Sequence, residues 1–256
     1  MVVRIPRSHP RYESLVTREK LVEAYNDGIV VVEGLIAHGR GEAFDYLLGE
    51  KSHGFALAAE RAAVASMLLA ERPVISVNGN YAALAAREIA ELASLTGALV
   101  EVNLFYRTEE RVRKIYELLR VRGVPGLLSP ECEKRIVEGL ESPRGVVCSE
   151  GIGSADFVLV AIEDGDRTQA LVKEGKKVAA IDLNPFSRTA QTASITIVDE
   201  AIRATRNMAR FARELRGYSR KELEDIVEGY DNRETLKLAF RALLSRLEEA
   251  SERGVL

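Results

Sequence analysis

Short apolar runs closed by turn residues dominate the second half of the chain. Val178–Ile181 stops at Asp182-Leu183-Asn184-Pro185, and Ile195–Val198 stops at Asp199-Glu200. Runs this short between turn residues predict strands buried on both faces of an α/β sheet. Phe157–Ile162 is a third such run, closing on Glu163-Asp164-Gly165-Asp166-Arg167-Thr168. Pro73–Val77 is a fourth, followed by an Asn78-Gly79-Asn80 loop, a helical Tyr81–Thr96 ended by Gly97, and another apolar stretch, Ala98–Leu104. That order predicts a βαβ unit with a right-handed crossover.

Elsewhere the spacing is helical. Thr17 is placed to cap a helix over Arg18–Asn26, with Gly28 ending it. A second helix is expected from Glu42 onward, a third over the Ala-rich 56–71, and others over 109–122, 168–173, 200–215 and 219–250, the last broken at Tyr230-Asp231-Asn232. Ile29–Val32 reads as a strand or as the lead-in to the next helix, and Ile5–Tyr12, with two prolines, as an extended arm. Residues 123–152 carry no readable period. Together these predict one three-layer α/β domain over 1–256: a helical part to residue 72, a sheet core over 73–200 and C-terminal helices over 201–256.

The chain has 256 residues, 46% hydrophobic and 29% charged, enough for a sizeable core. A formal charge of −3 and a pI near 5.8 leave no global basic field for nucleic acid. No apolar run approaches the ~20 residues that span a membrane, and MVVRIPRSHPRY lacks a signal-peptide apolar region. Cys132 and Cys148 have no metal-like spacing and form no disulfide framework, which points to a reducing cytoplasm.

Ligands of open α/β sheets bind beyond the carboxyl ends of the strands. Asp182, Asn184, Ser187, Arg188, Thr189, Asp199 and Glu200 are expected to gather at that edge. Asn78-Gly79-Asn80 is a candidate phosphate loop at a helix N-terminus, against the reading of an ordinary βα turn. Asp164 and Asp166 are candidate Mg²⁺ ligands, against that of a solvated acidic loop. His38-Gly39-Arg40-Gly41-Glu42 sets an arginine between glycines, before a helix expected near Glu42, so Arg40 is the first choice for an anion ligand. His9 and His53 are taken as structural. No P-loop, dinucleotide fingerprint, nucleophile elbow or zinc pattern is present.

The blocks IPRSHPRYESLVTREKLVEA (5–24), GLIAHGRGEAFDYLLGE (34–50), PVISVNGN (73–80), EVNLFYRTEERV (101–112), EDGDRT (163–168), IDLNPFSRTA (181–190), ITIVDE (195–200) and YDNRETL (230–236) resemble the archaeal phosphopantothenate synthetases, or 4-phosphopantoate–β-alanine ligases. The resemblance implies a Rossmann-like α/β fold, mostly parallel with helical N- and C-terminal extensions, in a cytoplasmic homodimer. It implies a ligase that joins 4-phosphopantoate to β-alanine with ATP and Mg²⁺, giving 4′-phosphopantothenate, AMP and pyrophosphate through an acyl-adenylate, on the route to coenzyme A. The family's ATP contacts carry over to Arg18, Arg40, Asp182, Leu183, Asn184, Arg188, Thr189, Glu200 and Ala201, with Arg40 also catalytic. Glu200 stands where the family usually has Asn. Another ATP-dependent ligase or kinase acting on a phosphorylated acid, and a nucleotide-binding module without chemistry, stay open as alternatives.

Overall fold

The computed structural model describes residues 5–254; the first four residues of the N-terminal stretch read above lie outside them. In chain order the elements begin with α1 (Tyr12–Asn26), α2 (Val32–Leu48), α3 (Gly54–Leu69), β1 (Pro73–Val77), α4 (Gly79–Thr96), β2 (Leu99–Val102) and α5 (Glu109–Val121). They continue with β3 (Lys134–Ile136), β4 (Val146–Cys148), β5 (Phe157–Ala161), α6 (Gly165–Lys173), β6 (Lys177–Ile181), α7 (Arg188–Thr192) and β7 (Ile195–Ile197), and end with α8 (Ala201–Leu215), α9 (Arg220–Glu228) and α10 (Asn232–Arg253).

Five strands form one parallel sheet in the order β2-β1-β5-β6-β7. Counting only these strands, that is the 2-1-3-4-5 order of a doubly wound sheet, with its topological switch point between β1 and β5. The three-layer α/β expectation therefore holds. The period-2 alternation of each strand sorts its side chains between two cores. Phe157, Leu159 and Ala161 of β5 enter the larger core with α3, α4, α5 and α8, while Val158 and Val160 enter the smaller one with Leu171 of α6. Right-handed crossovers demand this split: the path runs one way from β1 to β2 and the other way from β5 to β6, so α4 and α6 must cover opposite faces.

The segment without a readable period, 123–152, folds into the antiparallel β3–β4 hairpin. Its Val137, Leu140, Val147 and the following Ile152 cover the sheet face that α6 leaves open. The hairpin register sets Lys134 opposite Cys148, and Cys132 and Cys148 are joined as a disulfide. This corrects the reading of two free thiols: cysteines 16 apart become neighbours only once the hairpin forms.

Three expectations at the N-terminal end are also corrected. Arg7–Arg11 is not extended but turned, with His9 N donating to the Pro6 carbonyl and Tyr12 N to that of His9, both at 3.0 Å. Thr17 caps nothing; it lies inside α1 and its Oγ1 donates to the Glu13 carbonyl at 2.9 Å. Ile29–Val31 is the lead-in to α2, and α2 starts at Val32 instead of near Glu42, so His38–Gly41 lies mid-helix. At the other end, Asn232 finishes the sheet edge: its Oδ1 accepts from Thr196 N at 2.6 Å and its Nδ2 donates to the Ala193 carbonyl at 3.2 Å. That covers the unpaired side of β7.

Candidate functional site

The carboxyl ends of all five parallel strands open into one cleft of about 640 Å³, roofed by α2. At the switch point Asn78 follows β1. Its Oδ1 accepts from Tyr81 N at 3.0 Å, capping α4, and its Nδ2 donates to the carbonyls of Ala161 at 2.7 Å and Ile162 at 3.2 Å. One side chain thus ends a strand, starts a helix and ties two strands together. Ile162 has φ 50°, a left-handed backbone rare for a β-branched residue and typical of functional loops. Gly79 has no room for a side chain, since a Cβ there would meet the Ile29 carbonyl and the Arg111 guanidinium. Asn80 Nδ2 donates to the Gly34 carbonyl at 2.8 Å and holds α2 across the mouth.

The helices α4, α6 and α8 begin at this edge, and their caps Asn78, Asp164 and Glu200 all line the cleft. Each N-terminus turns the positive end of its helix dipole toward the cleft, a contribution that favours an anionic ligand. After β6, Asp182 Oδ1 accepts from Asn184 N at 2.9 Å and Oδ2 from Ser187 Oγ at 2.5 Å, which shapes the loop that faces α2. Burial raises the Asp182 carboxyl above its ordinary range, and Arg40 opposes that rise. The Arg40 side chain makes no ion pair or hydrogen bond among the described residues, and Arg40 lines the cleft. A Cβ added at Gly39 would meet nothing within 4 Å, so the backbone there approaches nothing closely. His38 also faces the cleft with Nε2 buried and unpartnered, and burial lowers its pKa, which keeps the ring neutral.

Glu163 and Asp164 follow β5. Glu163 is gripped by two arginines, Arg144 Nη1 on Oε1 and Arg167 Nη1 on Oε2 at 2.6 Å. Burial pushes the Arg144 guanidinium down to about 9, helped by Arg167 and Arg111, and that of Arg167 down to about 10. At the β7 end the buried Asp199 accepts from Arg203 Nη2 at 2.7 Å, from Glu200 N at 2.7 Å and from Ser52 Oγ at 2.5 Å. Arg203 also holds Asp45.

Of the residues singled out in the sequence, Arg40, Asp182, Leu183, Asn184, Glu200, Ala201, Asn78, Gly79, Asn80 and Asp164 line the cleft. Glu200 uses its side chain as the α8 cap, accepting from Ile202 N at 2.9 Å and Arg203 N at 3.0 Å, while its other oxygen is buried and unpaired. Arg18 lies outside the lining, its Nε 3.0 Å from both Glu42 oxygens. Arg188 pairs with Asp166 at 2.7 Å where both are exposed. Thr189 is buried, its hydroxyl donating to the Glu163 carbonyl at 2.8 Å, so it braces the β5 loop.

A family model described as phosphopantothenate/pantothenate synthetase matches residues 55–246. The chain is 54% identical to the 4-phosphopantoate–beta-alanine ligase of Thermococcus kodakarensis, over 99% of this chain and 97% of that one. It is 51% identical to the ligase of the same name from Methanosarcina mazei, over 98% of each. The chain belongs to the phosphopantothenate/pantothenate synthetase family. The span matched by the family holds all five parallel strands, and with them every strand end that opens into the cleft.

Sequence reasoning misses four cleft or near-cleft groups. Arg144 lies in the patternless segment, and Arg111 is one of several arginines on a charged helix, so neither carries a signal. Arg167 is inside a matched block but looks like a surface charge. Glu60 does carry one: it is the single glutamate in a run of alanines that the fold buries completely.

Proposed function

We propose that the protein is an ATP-dependent ligase that condenses 4-phosphopantoate with β-alanine to 4′-phosphopantothenate, releasing AMP and pyrophosphate, in coenzyme A biosynthesis. The observation that carries this reading is an identity above 50% with ligases of that name along nearly the whole chain. The cleft suits the chemistry. A carboxylate is a poor acyl donor until one of its oxygens attacks the α-phosphorus of ATP and pyrophosphate leaves. The amine then attacks the acyl carbon and AMP departs, taking that oxygen with it.

Negative charge grows on the phosphates in the first step, and preorganised donors stabilise it. Arg40, with no carboxylate partner among the described residues, is the side chain assigned to that task. The backbone and side chains of Asp182, Leu183, Asn184, Glu200 and Ala201 are proposed to hold the nucleotide along the β6 and β7 ends. Arg18, Arg188 and Thr189 are proposed as the remaining nucleotide contacts, each held by the partner already described. Mg²⁺ is taken to arrive with the triphosphate. Among the described residues no three His, Cys, Asp or Glu side chains stand close enough to hold a metal. Asp166 pairs with Arg188 and Asp164 lies 3.1 Å from Arg144 Nε, so these carboxylates do not converge on a cage.

A homodimer is part of the proposal. On α10, Leu236, Ala239 and Leu243 pack inward, while Leu238, Leu244 and Leu247 remain exposed, a second apolar face that a partner copy would cover. Light scattering at micromolar concentration tests it; a monomer mass would remove it. No helix among the described residues is long and apolar enough to cross a membrane, in keeping with a cytoplasmic enzyme. The activity is tested by incubating the protein with ATP, Mg²⁺, 4-phosphopantoate and β-alanine. AMP and 4′-phosphopantothenate in equal amounts are expected; ADP, or turnover indifferent to β-alanine, contradicts the assignment.

A further inference from the structure

The helix that roofs the cleft and carries Arg40 is barely packed. Asp45 and Leu48, near its C-terminal end, are the buried residues of α2, and from Leu35 to Phe44 no side chain is buried. Gly39 and Gly41 weaken the helix within that span. Packing forces neither glycine, since a Cβ at 39 would meet nothing and one at 41 only Leu183, at 3.7 Å. The place of Arg40 therefore depends on how the two ends of the roof are tied. At one end Asn80 holds the Gly34 carbonyl. At the other, Arg203 of α8 holds Asp45. We propose that Arg203 is a positioning residue: by locking Asp45 to Asp199 it latches the roof to the β7 end and so sets Arg40 over the nucleotide. The proposal rests on the reading above that Arg40 meets the phosphates of ATP.

The fork of Arg203 is fully used. Nη1 and Nη2 donate to the two oxygens of Asp45 at 3.1 and 2.5 Å, a bidentate pair. Nε and Nη2 donate to Asp199 Oδ1 at 3.0 and 2.7 Å. Asp199 is itself held fast: Glu200 N donates to Oδ1 at 2.7 Å and Ser52 Oγ to Oδ2 at 2.5 Å, while Asn207 Nδ2 donates to Ser52 Oγ at 2.9 Å. The Asp199 side chain is fully buried and that of Asp45 nearly so, so salt and solvent screen the pairs little. Arg18 ties Glu42 of the roof to α1, but Arg18 is exposed, and exposed pairs of this kind hold weakly.

Neither Arg203 nor Asp45 lines the cleft, so their effect on the chemistry passes through α2. Arg40 lies five residues before Asp45, about 7.5 Å along the same helix. A roof freed at Asp45 carries Arg40 with it, and a shift of about 1 Å in a positioning group is enough to cost on the order of 100-fold in rate. An arginine is needed at the latch because a planar fork reaches two carboxylates at once, which a single ammonium cannot do.

The test places Asp45→Asn and Arg203→Lys in the wild type and in Arg40→Ala, and reads hydrogen exchange of α2 and kcat/KM for ATP. Asp45→Asn removes only the charge on the roof side and leaves the Arg203–Asp199 pair, so the fold survives. Arg203→Lys keeps a charge between the two carboxylates. Either change is expected to speed amide exchange over residues 36–47 about 10-fold or more, while α3 and the sheet change by less than about threefold. Each should lower kcat/KM about 10- to 100-fold in the wild type. In Arg40→Ala the same changes should cost less than about threefold, because the side chain they place is gone. Equal losses in both backgrounds, or unchanged exchange in α2, would overturn the inference. A protein that turns over no ATP would refute the proposed activity, while exchange in α2 still judges the latch.

Discussion

Replacing Glu60 by glutamine should stabilise the protein, and increasingly so as the pH rises. Glu60 is fully buried in α3, close enough to Asp199 to feel its charge, and one of its oxygens has no hydrogen-bond partner. Burial, then the neighbouring Asp199 charge, push its pKa from 4.5 up to about 9. At neutral pH it is therefore an uncharged carboxylic acid beside Asp199, and it accepts from Asn207 Nδ2 at 3.4 Å. A group whose folded pKa is raised lends its stability below the unfolded value and loses it as the pH climbs toward the folded one. At pH 7 the unfolded chain has gained about two and a half pH units of ionisation free energy, at about 1.4 kcal/mol each, that the folded chain lacks. Glutamine keeps the donor and the acceptor but cannot ionise when unfolded, so Glu60→Gln is worth about 3 kcal/mol at pH 7, or roughly 6–12 °C in Tm. The gain should shrink toward zero near pH 5 and exceed the pH 7 value at pH 8.5. Thermal midpoints of both proteins at pH 5, 7 and 8.5 measure it. A glutamine variant no more stable than wild type at pH 8.5, or a difference that ignores pH, would refute the reading of Glu60 as a buried, uncharged acid.

Arg40→Ala is expected to lower kcat/KM for ATP by about 30- to 1000-fold, the 2–4 kcal/mol of a charge-assisted contact, with an unchanged thermal midpoint; Arg40→Lys should recover part of it. Asn78→Ala removes the α4 cap and the bridge from β1 to β5, and should cost about 2–3 kcal/mol by denaturant unfolding. Reductant, or Cys132→Ser with Cys148→Ser, should cost about 3 kcal/mol for a loop of this length, seen as a lower Tm, and leave turnover at moderate temperature intact.

The sheet is legible in the sequence because its strands are buried on both faces and write themselves as unbroken apolar runs. Phe157–Ile162 and Val178–Ile181 fall within a residue of β5 and β6. The cleft is legible for a related reason: polar residues that close such runs must collect along one edge. Arg144 is not, since it depends on a hairpin whose three-residue strands leave no period and whose pairing is set by contact with the sheet. The start of α2 is misread because glycines at 34, 39 and 41 look like loop, whereas the roof position supplies packing that offsets their low helix propensity. Of the three, Gly34 has a tertiary reason to be glycine, because a Cβ there would collide with Asn80. Glu60 shows the converse, a local anomaly among alanines whose meaning comes only from Asp199, 139 positions later in the chain.

Oxygen transfer tests the central claim most directly. 4-Phosphopantoate labelled with ¹⁸O in its carboxylate is incubated with the protein, ATP, Mg²⁺ and β-alanine, and the nucleotide product is analysed by mass spectrometry. Attack of the carboxylate on the α-phosphorus predicts one ¹⁸O in each AMP formed and none in pyrophosphate. Label in inorganic phosphate beside ADP would mean an acyl phosphate, and unlabelled AMP would mean that the carboxylate never reaches the nucleotide; either result contradicts the account.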